Sequence, residues 1–408
     1  MESITLLAVF AAIALFGSEW LSSRSITMPI IFVLGGFILG GDVLGWIHLE
    51  PEIELIFELT ELTLALLLFS DASTIPLKTV RAGEGLESRL LGLGLPLTIA
   101  AGGLAAYLLF PDENLGVMLL IGAALAPTDA ALGLPIFRNP HIPERIRQSL
   151  NVESGLNDGL VTPFVALFTA YAIAEGVNGS GSWLSHSLRE IGIGISVGIV
   201  FGLVGGYFLR QAKIRGMTSE VSGQIAFFAI CIATFFGARE LEGNGFIAAF
   251  VGGLALGWVM KEASSEFVEF TETAGTGLSL MVWTVFGAVF LPLAIDEAFS
   301  WRVVIYAVLS ITVVRMIPVA ISLINTHESR STVAVMGWFG PRGLASLVFL
   351  TGSLISLEAA GEDVTTLVGT MAWTISLSVL LHGITAGPVG RWYESRLTRK
   401  TPLPQVDG

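Results

Sequence analysis

Charge is scarce in this sequence. Aspartate, glutamate, lysine and arginine together make up 13% of 408 residues, about half the share usual in a soluble domain. That scarcity argues against a solvated globular enzyme, and no polar, low-complexity stretch is long enough to link two soluble domains. There is one cysteine, Cys231, so no intrachain disulfide can form; it sits in an apolar run, where packing is its expected role. No basic residue precedes the first apolar stretch, Ile4 to Trp20, only the acidic Glu2. A retained helix is therefore expected there, not a cleaved signal peptide. The net charge of -13 is scattered through short loops without forming an acidic tail, so it implies no basic partner.

What fills the sequence is apolar: 53% of the residues, with 47 glycines, many of them inside the apolar stretches, where small residues let helix backbones approach. Hydropathy predicts an all-α polytopic membrane protein with about 13 transmembrane helices, over roughly 4–21, 27–45, 54–72, 89–109, 115–134, 149–174, 188–208, 220–238, 244–260, 272–293, 301–325, 332–352 and 364–388. Alternate connections hold Arg24; Lys78, Arg81 and Arg89; Arg138, Arg145 and Arg147; Arg210, Lys213 and Arg215; Lys261; Arg330; and the tail with Arg391, Arg396, Arg399 and Lys400. The opposite connections hold only Arg189, Arg239 and Arg302 and are rich in acid. An asymmetry of about five to one places the N-terminus outside and the C-terminus in the cytoplasm, in the cell (inner) membrane. No separate soluble domain is expected within residues 1–400, and residues 393–408 are expected to be a short cytoplasmic tail.

Two spans are interrupted. The fifth contains Pro127-Thr128-Asp129, where proline removes a backbone donor and crowds the preceding turn. The twelfth contains Gly337-Trp338-Phe339-Gly340-Pro341-Arg342-Gly343. They lie about seven spans apart, an odd offset, so they fall at equivalent places in two halves of opposite orientation. Inverted repeats over about 1–175 and 220–390 are expected, with a linker helix at about 188–208. Each break taken alone could be a simple kink. A charged residue in each favours a binding site.

An ionisable group at membrane depth must be paired, hydrated or bound to an ion. Asp129 follows the first break. The sixth span opens Asn151-Val152-Glu153-Ser154-Gly155-Leu156-Asn157-Asp158, and the pairs Glu153/Asn157 and Ser154/Asp158, each four residues apart, share one helical stripe. Arg315 lies in an apolar run and Arg342 in the second break. Arginine cannot be deprotonated and needs a partner; Glu153 is the expected partner of Arg315, in a structural role. Arg342 joins that network or compensates backbone carbonyls freed at the break. Asp129 and Asp158 then have no dedicated base. Two acids sharing a site cannot both ionise cheaply, so a proton or a hard monovalent cation is held there, with Ser154 and Thr128 oxygens as further ligands. Competition between the two, with alternating access, couples their movements. The expected substrates are Na⁺ (or Li⁺) and H⁺, and neither a cofactor nor a nucleic-acid partner is expected.

Pro127-Thr128-Asp129-Ala130, the run Asn151 to Asp158, and Phe339-Gly340-Pro341-Arg342-Gly343 resemble the monovalent cation/proton antiporter-1 family, which includes the NhaP-type sodium/proton antiporters and the animal sodium/proton exchangers. The resemblance covers essentially the whole chain. It implies an NhaA-like fold with two unwound crossing helices, core and dimerisation domains, a homodimer in membrane lipid, and electroneutral exchange of one proton per cation. It implies that Asp158 is the essential carrier, Asp129 the acid of the unwound helix and Ser154 a cation ligand. Asn157 matches the asparagine that marks the electroneutral branch. Ala130 departs from the proline that many relatives carry after Thr-Asp.

Asp71, at the end of the third span, matches an acid that relatives place by the ion pathway; a solvated helix-end acid is the alternative. His48, His141, His186 and His327 are expected in solvent and His382 in the core. Glu58 and Glu61 snorkel to the outer interface or line an outer funnel. Gly202 and Gly206 are spaced for helix packing. The rival functions are a K⁺/H⁺ antiporter, a passive cation channel, which would want repeated carbonyl filters or charge rings, and an intramembrane aspartyl protease, whose Gly-X-Gly-Asp turn has no counterpart before Asp158. Anion transport is disfavoured because acids outnumber the buried bases at the site.

Overall fold

A computed structural model describes residues 2–23, 26–41, 43–46, 53–75, 85–129, 132–133, 142–176, 183–296 and 298–398. The order is α1 (Glu2–Phe16), α2 (Ser18–Ser23), α3 (Met28–Leu39), α4 (Ile53–Thr74), α5 (Leu86–Leu109), α6 (Leu115–Ala124), α7 (Glu144–Gly176), α8 (Trp183–Ile214), α9 (Glu220–Glu240), α10 (Gly245–Met260), α11 (Glu269–Asp296), α12 (Trp301–Ser322), α13 (Arg330–Trp338), α14 (Leu344–Ala359) and α15 (Thr365–Thr398). Seven of these are long and apolar enough to cross a membrane, and five shorter apolar helices of 10–17 residues accompany them. Among the described residues the chain is all-helical, with the long apolar helices of a multi-pass membrane protein.

Short polar connections start many of the helices. Asn114, Ser219, Asn244, Ser300 and Ser329 each precede a helix and accept a backbone N–H of its first turn, supplying the acceptors that exposed helix starts need. The interruptions expected at Pro127 and Gly340-Pro341 fall between helices: α6 stops at Ala124, and residues 339–343 separate α13 from α14. A third interruption was not foreseen. At Thr312 (φ -114, ψ -94) α12 breaks. The Thr312 hydroxyl bonds the carbonyl of Val308 at 2.5 Å, and Pro318 has no N–H for the carbonyl four residues earlier. α5 and α11 also carry single π-helical turns, Leu90–Gly94 and Phe286–Phe290.

Several helix boundaries move outward, those of α8 and α11 included; two bear on the site and the tail. α7 begins at Glu144, and α15 runs past Pro388 to Thr398, so part of the expected tail is helix. Tyr393 explains the second case: it is buried and its hydroxyl bonds Thr332 Oγ1 at 2.9 Å, fastening the last turns of α15 to α13.

The helices pack in two groups. α8 lies along α10, with α4, α9 and α11 around them; α5, α6 and α7 pack with one another, and α12 with α5, α13 and α15. Gly202 and Gly206 serve the first group, since a Cβ at Gly202 would strike the Gly252 carbonyl of α10 and one at Gly206 would crowd Leu256. The groups meet along a seam where α7 touches α4, α8 and α10, and α14 touches α4. The charged stripe of α7 lies on this seam.

Candidate functional site

The two breaks cross, and polar groups take the place of the helical hydrogen bonds that each has lost. Asp129 N–H donates to the carbonyl of Pro341 at 2.8 Å. The Asp129 carboxylate accepts from Leu132 N at 3.1 Å and from Leu344 N at 2.8 Å, capping the first turn of α14. Both of its oxygens therefore face backbone donors, where a helix start favours negative charge. Gly343 is needed beside it, because a Cβ there would overlap the Asp129 carboxylate. Arg342 lies over the other break. Its Nη1 donates to the carbonyls of Ala126 at 2.7 Å and Pro127 at 3.3 Å, and Nη2 to that of Ser310 at 3.3 Å. Of the two roles open to Arg342, this is compensation of freed carbonyls. The Ser310 carbonyl is available because α12 is interrupted two residues later.

The stripe of α7 approaches from one side. Asn157 Nδ2 donates to Thr128 Oγ1 at 2.7 Å, and Thr128 Oγ1 bonds Ser154 Oγ at 3.0 Å. Glu153 Oε1 lies 2.6 Å from Arg315 Nη1, with the two side chains 2% and 1% exposed. Arg315 also packs against Gly340, where a Cβ would strike its Nε. Among the described residues, Asp158 Oδ1 is buried without a hydrogen-bond partner. Asp129, Ser154 and Thr128 each have a protein partner; Glu153 Oε2 is likewise without one, but its carboxylate is paired with Arg315.

Asp71 completes the group. It packs against Gly155 on α7, and Asp71, Asp129 and Asp158 lie within reach of one another's charge. Among the described residues they do not form a compact multidentate metal site. The sequence left Asp71 open because its approach to α7 is a tertiary contact across more than eighty residues. Ala130, His48 and His141 lie outside the described residues.

Two cavities carry carboxylates. A cavity of about 340 Å³ follows α7 along the seam, lined among others by Glu61, Thr162, Thr169, Glu190 and Ser353. Thr162 lies one turn beyond Asp158 and donates to its backbone carbonyl at 2.9 Å. Glu61 pairs with Arg239 at 2.7 Å and Glu190 with His186 at 3.3 Å. A second cavity, of about 420 Å³, holds Glu269 and Glu272, and Glu272 is within charge range of Asp71.

Sequence reasoning missed Ser378 of α15, whose Oγ accepts the Arg342 backbone N–H at 2.6 Å. A serine in an apolar helix carries no local signal of its partner.

Residues 5–392 match the family described as sodium/hydrogen exchanger, transmembrane. The K(+)/H(+) antiporter NhaP of Alkalimonas amylolytica is 25% identical over 95% of this chain and 66% of its own length. The Na(+)/H(+) antiporter NhaH of Halobacillus dabanensis is 27% identical over 74% of this chain and 75% of its own. The chain thus spans about two thirds to three quarters of these relatives. The sodium proton antiporter MjNhaP1 from Methanocaldococcus jannaschii superposes with a TM-score of 0.76 at 19% identity, covering 99% of this chain and 100% of that one. That likeness establishes the fold.

Proposed function

Because the chain belongs to the sodium/hydrogen exchanger family of monovalent cation/proton antiporters, we propose that it exchanges Na⁺ or Li⁺ for H⁺ at Asp158, one for one. The observation that carries this reading is the buried Asp158 oxygen without a protein partner, on a carboxylate that, unlike that of Glu153, is not paired with an arginine. A buried carboxylate so placed needs a proton or a cation. Ser154, Thr128 and the neighbouring Asp71 supply further oxygens to a dehydrated monovalent ion. Asp129, tied to two backbone N–H groups, returns to the same state each turn whether or not it touches the ion. Alternating access then follows from relative movement across the seam between the two helix groups, as in other transporters with paired broken helices.

The inverted-repeat plan is part of this proposal. Side chains of α7 hold the first break and side chains of α15 hold the second, as two related halves require. A homodimer in the cell membrane, with the N-terminus outside, completes it.

A K⁺/H⁺ antiporter is the second reading, favoured by the Alkalimonas relative that covers 95% of this chain; the same oxygens bind either ion. Adding Na⁺, Li⁺ or K⁺ to inside-out vesicles preloaded with protons and following a pH-sensitive dye tests both. Dequenching with Na⁺ or Li⁺, abolished in correctly inserted Asp158→Asn protein, is expected. Dequenching with K⁺ alone establishes the second reading, and exchange that survives Asp158→Asn sinks the assignment of the carrier.

A further inference from the structure

The second break has an interior opening that α15 fills. In an uninterrupted helix the N–H of Arg342 would donate to the carbonyl of Trp338, four residues earlier. Instead Arg342 N donates to Ser378 Oγ at 2.6 Å, Ser378 Oγ lies 3.2 Å from His382 Nδ1, and His382 Nε2 lies 2.8 Å from the Trp338 carbonyl oxygen. We propose that Ser378 and His382 are positioning residues for the exchange, carrying through a three-bond relay the helical hydrogen bond that residues 338–342 have lost.

The relay closes in the tautomer with the ring proton on Nε2, which donates to the Trp338 carbonyl alongside Gly340 N at 2.9 Å; Nδ1 is then the acceptor for the Ser378 hydroxyl, whose oxygen takes the Arg342 N–H. Nδ1 also lies 2.9 Å from the Ser378 carbonyl, where the opposite tautomer would donate; only the Nε2–H form joins the Arg342 N–H to the Trp338 carbonyl. His382 and Ser378 are both fully buried. One turn further along the same face, Thr385 Oγ1 accepts from Trp338 Nε1 at 2.9 Å, and the Trp338 and His382 rings pack with centroids 5.1 Å apart. α15 thus holds both ends of the break. A merely space-filling histidine would not match a donor and an acceptor separated by one missing helical turn.

The relay bears on the ion site through four consecutive residues. Pro341 receives the Asp129 N–H, Arg342 holds Ala126 and Pro127, Gly343 abuts the Asp129 carboxylate and Leu344 N caps it. Releasing residues 338–342 moves all of these contacts at once.

The inference rests on the antiport reading of Asp158, and the experiment separates the two. Wild type, His382→Leu, His382→Gln and Ser378→Ala are reconstituted in proteoliposomes, and both the Na⁺ concentration for half-maximal exchange and the maximal rate are measured. Loss of a buried hydrogen bond predicts a half-maximal concentration raised about fivefold to tenfold in His382→Leu and in Ser378→Ala, with the maximal rate within about twofold. Glutamine restores the donor to Trp338 and should bring the value back to within about threefold of wild type. Because one relay is cut, the double variant Ser378→Ala/His382→Leu should be no worse than the poorer single. In detergent, the rise in unfolding temperature caused by Na⁺ should shrink in the same variants. Half-maximal concentrations unchanged in both singles, effects that add in the double, or a lower unfolding temperature with an intact Na⁺-induced rise overturns the relay. If His382→Leu does not fold, Ser378→Ala, which removes a single oxygen, carries the test. Wild type that exchanges nothing overturns the reading of the site and the relay with it.

Discussion

Glu153 and Arg315 meet through one oxygen and one nitrogen, while Glu153 Oε2 and Arg315 Nε and Nη2 have no hydrogen-bond partner. The pair is therefore a single-point contact and not a fork-to-fork one, and its worth lies in what its loss would strand. Glu153→Gln leaves a guanidinium uncompensated in apolar surroundings and is expected to cost about 3–5 kcal/mol, read as lower yield and unfolding temperature. A double-mutant cycle with Arg315→Met measures the coupling; a value near zero moves the partnership to Arg342. Asp158 is different in kind. With no base of its own, it can become asparagine without loss of fold, so thermal stability near wild type and absent exchange are expected together. Residues of this type were legible from the sequence, because a charge inside an apolar run is conspicuous wherever the helix goes. Ser378 was not, Asp71 was left open between two readings, and His382 was expected in the core without its partners, because their meaning depends on which helix they face.

At the scale of the element, the breaks hold each other. Proline and glycine announced where the helices stop. That Arg342 would bridge to Ala126 and that Asp129 would cap Leu344 is a property of the crossing, invisible to a local pattern. Arg342→Lys keeps the charge but offers a point donor in place of a fork that reaches three carbonyls. It should destabilise by about 1–3 kcal/mol, seen in denaturant or thermal unfolding of the purified protein. Gly343→Ala should be worse for transport than for folding, since the new methyl group displaces the Asp129 carboxylate from its cap. Exchange at wild-type rate in that variant would mean the cap is dispensable. The interruption of α12 had a signal in Thr312 and Pro318, but β-branched runs and prolines are common in spanning helices that stay whole.

For the whole molecule the question is charge. On the proposed reading Asn157 cannot titrate, Glu153 stays committed to Arg315 and Asp129 would end each cycle as it began, so one cation would replace one proton and the membrane potential would do no work on the exchange. A potassium–valinomycin diffusion potential imposed on proteoliposomes should leave the rate and endpoint of Na⁺-driven pH change unaltered; a shift that follows the sign of the potential would show net charge movement. The all-helical membrane class was readable at this scale because bilayer thickness dictates the length and apolarity of spanning helices. The seam and its cavities were not, since packing alone decides where helices part.

The cavity beside α7 also makes the sidedness of the molecule open to chemical tagging. Cys231 is fully buried, its Sγ 3.6 Å from the carbonyl of Ala65, so the native thiol is shielded and the unaltered protein already serves as a blank for maleimide reagents. A cysteine placed at Ser353 or Thr169, whose hydroxyls bond each other at 3.0 Å across the α7–α14 contact, would sit on the cavity wall. An impermeant maleimide should reach it from one face of the membrane only. Saturating Na⁺ should slow that tagging to the extent that loading the ion draws the walls together.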